Sequence, residues 1–197
     1  IALAEKLNMK VLSHIKLAAA FPTDHRLHAA PPANRLAAAG KKAIAEADVI
    51  LALDWLDLGG TFKQTFGTKP VNAKIIQVTC DVHAHRGWSM DYQALPPVDL
   101  NLMCETDAAV PLLLQSVKPR AAGVASAAAA PHAQPPGNAV TLSGVGAALR
   151  HALGARKFCI SRLPLGWNGA YLHFRHPLDY VGFEGGAGVG AGPAITV

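Results

Sequence analysis

Hydrophobic and polar positions follow two rhythms along this chain, and the rhythms predict its elements. Ile1-Ala2-Leu3-Ala4-Glu5-Lys6-Leu7 has helical spacing with no capping residue ahead of it, so it reads as the last turns of a helix already under way. Residues 9–12 form a short β-like run. A loop containing Pro and His follows, through Phe21-Pro22-Thr23-Asp24-His25 to Pro31-Pro32. Asn34 is the expected N-cap of an Ala- and Lys-rich helix over 35–47. Residues 48–53 are a continuous apolar strand of the kind buried on both faces in a parallel sheet. An acidic, Gly-closed loop over 54–60 ends it. A second strand over 74–79 ends at Cys80-Asp81, a weaker third spans 98–103, and a helix spans 107–116. Strands alternating with helices predict βαβ units, hence an α/β fold with a doubly wound, Rossmann-like parallel sheet.

The pattern breaks at 118–138, a low-complexity stretch rich in Ala and Pro without an amphipathic stripe. It reads as an interdomain linker. A helix over 141–153 and a strand over 157–161 are expected next, then a segment of Gly, His and aromatic residues leading to the glycine run 185–192. The expected organisation is one α/β domain at 1–118, a linker at 119–138 and the beginning of a second α/β domain at 139–197. No Met opens the chain and an apolar segment closes it. Both ends read as cut mid-element, as in a piece of a longer protein.

Composition narrows the class. With 51% hydrophobic and 16% charged residues the chain is too apolar to be disordered. No apolar run approaches the roughly 20 residues needed to span a bilayer, so no membrane partner is expected. The net charge is +5, but the basic residues are spread singly or in pairs rather than gathered into a nucleic-acid footprint. No nucleic-acid partner is expected either. Cys80, Cys104 and Cys159 sit in apolar, strand-like settings, and they read as buried, reduced thiols of a cytoplasmic protein without a secretory leader.

Several constellations are candidates for chemistry. Gly alternating with small residues over 185–192 allows backbone N–H groups to approach a phosphate or a flat ring, while a tight crossing or a flexible tail is the bland reading. The histidine pairs His25 with His28, His83 with His85 and His173 with His176 lack a recognised metal spacing, so no metal site is expected. Ser143 lies beside Gly at a predicted helix start, where capping suits it better than nucleophilic catalysis. Asp54 and Asp81 end strands, where open α/β sheets bind ligands. Each reads equally as a hydroxyl-binding residue or as a turn cap.

Taken in order, the "FPTDH" loop, "ADVILALD", "AKIIQVTCD", "VDLNLMCETDAAVPLLL", the Pro/Ala linker and "GFEGGAGVGAGPAIT" resemble a known pattern. It is that of the central domain, and the start of the third domain, of thiamine-diphosphate-dependent enzymes of the acetolactate synthase and benzaldehyde lyase type. The resemblance covers nearly the whole chain and lies in the succession of motifs rather than in any one. It implies thiamine diphosphate and magnesium as cofactors, 2-keto acids or aldehydes as substrates, and C–C bonds broken or made beside a carbonyl. A homodimer or homotetramer with active sites between subunits is also implied. Gly188, Val189 and Gly190 would lie against the aminopyrimidine, with Gly186, Gly166 and Trp167 also among the cofactor-binding residues. Asp24 and His25 would border the substrate channel.

The resemblance also implies what is missing. The activating glutamate of the family belongs to its first domain, and its magnesium motif would fall beyond Val197. No catalytic residue is therefore assigned in this chain, which by itself is expected to be inactive. FAD is not expected, because Asp54 and Asp57 occupy the turn where a dinucleotide phosphate would sit. The competing reading is a non-catalytic, Rossmann-like nucleotide-binding or assembly module.

Overall fold

The computed structural model describes residues 1–33, 35–84, 92, 94–121, 139–164 and 166–182. The chain divides into two compact units, Ile1–Lys10 with Arg35–Ala125 and Val11–Asn34 with Ser126–Val197. Residues 11–34 thus group with the C-terminal part of the chain.

The first unit is an α/β unit around a three-stranded parallel sheet in the order β1-β2-β3. Its elements are α1 (Ala2–Leu7), α2 (Ala38–Ala45), β1 (Val49–Leu53), α3 (Leu58–Phe66), β2 (Lys74–Val78), β3 (Leu100–Leu102) and α4 (Thr106–Ser116). Val49 pairs with Lys74 and Leu53 with Val78, while Ile76 pairs with Leu100 and Val78 with Leu102. Ile75 and Val78 are buried almost completely, with Phe62 of α3 and Ala52 also in this core. The α1 helix packs on α4, where Lys6 Nζ donates to the Leu114 carbonyl at 2.6 Å.

Three sequence expectations change here. The helix expected over 35–47 is shorter, with Ala37 at its N-cap position; Asn34 lies outside the described residues. The strand expected to be buried on both faces leaves Val49 57% exposed, because among the described residues β1 has a neighbour on one side only. The Gly-closed loop over 54–60 stops early, since Leu58, Gly59 and Gly60 are already the first turn of α3. The Asp57 side chain causes this by accepting the Gly60 N–H at 2.8 Å, which satisfies one of the orphan donors of a helix start.

The second unit has its own core of Ile15, Ala19, Leu163, Trp167, Leu172, Phe174 and Tyr180. Helix α5 (Leu142–Leu153) lies beside it, with Leu149 and Leu153 packed against the core. Thr141 caps α5 by accepting the Gly144 N–H at 3.1 Å. The capping role read for Ser143 therefore falls to Thr141, with Ser143 Oγ 3.1 Å from its hydroxyl. The strand expected over 157–161 is reduced to one parallel bridge, Ile160 with Tyr180, and the β-like run at 9–12 to another, Val11 with His28. A short 3-10 turn, Pro177–Asp179, carries the chain into Tyr180, whose hydroxyl donates to the Ile15 carbonyl at 3.0 Å.

The cysteines are not the buried thiols that their apolar neighbours imply. Cys80 and Cys159 are exposed and Cys104 is half-buried, all unpaired. Cys80 and Cys104 lie just past their strands, and Cys159 points outward between the half-buried Phe158 and Ile160. No helix among the described residues is long and apolar enough to cross a membrane.

Candidate functional site

The loop over 21–28 folds against the segment 172–175 in the second unit, and the pairing is built on Thr23. Its backbone N–H donates to the Phe174 carbonyl at 2.9 Å, and its Oγ1 accepts the Phe174 N–H at 3.0 Å. The same hydroxyl lies 3.2 Å from His173 Nδ1. Thr23 and Phe174 are both buried, so these bonds sit where water does not compete for them.

Two histidines from opposite ends of the unit thereby share one neighbourhood. His28 is 3% exposed. Its Nε2 lies 2.8 Å from Ser13 Oγ, and its ring stacks on Phe21 with centroids 6.2 Å apart. Burial pushes its pKa down to about 4, with the positive fields of His173 and His25 adding to the effect; a hydrogen bond to the Thr23 backbone and the charge of Asp24 oppose it. A ring that donates one N–H to a backbone carbonyl leaves its other nitrogen to accept, so the Ser13 hydroxyl donates to Nε2 in the neutral form. Burial also holds His173 below the ordinary imidazole range; Asp24 opposes this, and Arg175 and Arg150 reinforce it. The Nε2 atom of His173 is buried without a hydrogen-bond partner among the described residues.

Asp24 and His25, the residues expected at a substrate channel, border this pair. Asp24 Oδ2 accepts from Arg175 Nε at 2.5 Å, with the aspartate side chain 30% and the arginine 73% exposed. His25 turns inward on its own loop: its Nδ1 accepts the Leu27 N–H at 3.2 Å, and its ring meets Phe21 edge-on at 5.2 Å. A small pocket opens alongside, lined by Ser13, Ile15, Phe21, Thr23, Pro32 and Phe174 among others. The arrangement is two neutral imidazoles and two hydroxyls behind an exposed ion pair.

Of the residues expected to face a cofactor, Gly166 is exposed with φ +78°, a conformation that disfavours side chains. Trp167 is buried in the core of the unit, edge-on to Tyr171 at 5.3 Å, and its Nε1 has no hydrogen-bond partner among the described residues. Gly186, Gly188, Val189 and Gly190 lie outside the described residues, as does most of the linker.

At the carboxyl end of the parallel sheet, Asp54 and Asp81 meet on Thr79. The Thr79 hydroxyl donates to Asp54 Oδ1 at 2.8 Å and accepts the Asp81 N–H at 3.0 Å. Asp54 adopts φ 48° and its carboxylate reaches across to the end of β2, whereas the Asp81 carboxylate accepts the His83 N–H at 3.4 Å in its own turn. Among the described residues no group of three His, Cys, Asp or Glu side chains is arranged to hold a metal ion.

Asp24 and His25 stand out in the sequence as candidates, whereas nothing in it singles out Thr23, Ser13, Arg175 or the joining of His28 with His173. The two histidine pairs were legible as pairs, but local spacing carries no sign that they meet. No family model matches the chain, and no curated protein matches it at a meaningful level of similarity.

Proposed function

We propose that the chain is part of a thiamine-diphosphate-dependent enzyme of the acetolactate synthase and benzaldehyde lyase type, acting on 2-keto acids or aldehydes. It would supply a doubly wound central domain and the start of the diphosphate-binding domain. The reading rests on one coincidence. The segments "ADVILALD", "AKIIQVTCD" and "VDLNLMCETDAAVPLLL" fall on adjacent strands β1, β2 and β3–α4 of one parallel sheet, the kind of sheet on which an α/β domain is built.

Thiamine diphosphate, when bound, supplies a nucleophilic carbon for breaking or making C–C bonds next to a carbonyl. On the protein side, the exposed Gly166 at φ +78° offers bare backbone to a flat ligand, whereas the Trp167 indole is taken up by the core. Gly186, Gly188, Val189 and Gly190 would add to the cofactor contact in this reading, and magnesium would be held by residues beyond this chain. Arg175, exposed and paired with Asp24, is in this reading the cation that receives a substrate carboxylate. His173, kept neutral, has its Nδ1 at the Thr23 hydroxyl and its Nε2 buried, so it would hold the loop in place rather than exchange protons with a substrate. Homodimeric or homotetrameric assembly with shared active sites belongs to the same reading.

The test is turnover of 2-keto acids and aromatic aldehydes by the longest form the gene encodes, with and without thiamine diphosphate and magnesium. Product formation that requires both is the expected result. Activity independent of the cofactor, or none with it, rejects the assignment in favour of a non-catalytic nucleotide-binding or assembly module.

A further inference from the structure

Two thiols share the carboxyl end of the parallel sheet in the first unit. Cys80 lies two residues past β2 and Cys104 two residues past β3, and these strands pair in parallel with Val78 opposite Leu102. Both cysteines therefore follow the same end of two adjacent parallel strands. Past the last ladder pair, the Thr79 N–H donates across to the Leu102 carbonyl at 3.2 Å, and the Cys104 N–H turns back to the same oxygen at 3.0 Å in a tight turn that ends β3. One carbonyl therefore fixes both the residue before Cys80 and Cys104 itself. The Cys80 thiol donates to Glu105 Oε1 at 3.7 Å, so it reaches the residue adjoining Cys104. Neighbouring strands lie about 4.8 Å apart, inside the roughly 4.4–6.8 Å Cα separation that a disulfide bridges.

We propose that Cys80 and Cys104 form a reversible dithiol–disulfide pair that exchanges with small-molecule disulfides of the glutathione class. The exposed Cys80 thiolate attacks one sulfur of the oxidised reagent, forming a mixed disulfide and releasing one equivalent of reduced thiol. The Cys104 thiolate then attacks the Cys80 sulfur and releases the second equivalent. Two cysteine thiols are oxidised, one disulfide reagent is reduced to two thiols, and the two S–H protons pass to the departing thiolates. The product ties together the segments that follow β2 and β3. Desolvation, Glu105, Cys104 and Asp54 all push the Cys80 thiol up, so the pair reacts slowly at neutral pH and faster as pH rises.

The folded chain, incubated with oxidised glutathione at mildly alkaline pH, is followed by thiol titration, intact mass and peptide mapping. Two of its three thiols are expected to disappear together with the loss of two hydrogens, in a linked peptide pair carrying Cys80 and Cys104. Dithiothreitol should restore both. The Cys159→Ser variant should behave identically, and unfolding in urea should abolish the preference for this pair. Glutathione adducts that persist on Cys80 or Cys104, or a bridge that includes Cys159, would overturn the proposal. Because the mapping is done on the unsubstituted protein, it does not depend on any variant folding.

Discussion

Thr23 accepts the backbone N–H of Phe174 through its hydroxyl at 3.0 Å, while its own N–H donates to the Phe174 carbonyl at 2.9 Å. Two segments 151 residues apart in sequence are thus joined by one buried residue, and the same hydroxyl reaches His173. Substituting Thr23→Val keeps the shape but strands the Phe174 N–H, at a cost of about 1–3 kcal/mol. Thr23→Ser should lie close to the parent. Urea midpoints with an unchanged slope would show both effects, and equal midpoints for the Val and Ser variants would disprove the role of the hydroxyl.

The His28 ring makes stability depend on pH. Its folded pKa is about 4 against an ordinary 6.5, so below pH 6.5 the unfolded chain binds a proton that the folded one does not. Stability is full above pH 6.5, falls as pH drops towards 4, and loses nothing more from this group below that. The whole excursion is on the order of 3 kcal/mol. Denaturation at neutral pH and near pH 4.5, for the parent and for His28→Gln, checks it: the variant should lose most of the slope across this interval.

Asp57 is a helix cap rather than a free surface charge. It is 6% exposed, with Oδ1 accepting from Gly60 and Oδ2 from the Tyr92 N–H at 3.3 Å. Asp57→Ala should destabilise the first unit by about 1–2 kcal/mol, and Asp57→Asn by less. Thermal unfolding of the two variants side by side separates them. A harmless Ala substitution would return Asp57 to the role of a carboxylate that repels phosphate.

Gly146 lies inside α5, where alanine ordinarily gains about 1 kcal/mol over glycine. Here a Cβ would stand 2.7 Å from Tyr171 Cβ and 3.0 Å from its carbonyl oxygen. Gly146→Ala should therefore destabilise, by about 1–3 kcal/mol, through overpacking. A rise in melting temperature on this substitution would contradict the contact between α5 and Tyr171.

What the sequence determined by itself is local. The apolar runs on β1 and β2, the weaker run on β3, and the helices α4 and α5 were all legible, because side-chain period and flanking turn residues act within one element. Helix α3 was hidden behind Gly59 and Gly60, poor helix formers whose first turn depends on the Asp57 cap. Residues 157–161 have the composition of a strand but make a single bridge, because pairing requires a partner that their own residues do not supply. The candidate site shows the same division. The loop residues Asp24 and His25 stood out by type and position. Tertiary structure alone decided that Thr23 would bind Phe174, that His28 and His173 would share one neighbourhood, and that the Cys80 thiol would reach Glu105, next to Cys104. Such contacts span tens to about 150 residues. They are chosen by the register of the sheet and the closing of the core, and no local pattern encodes either.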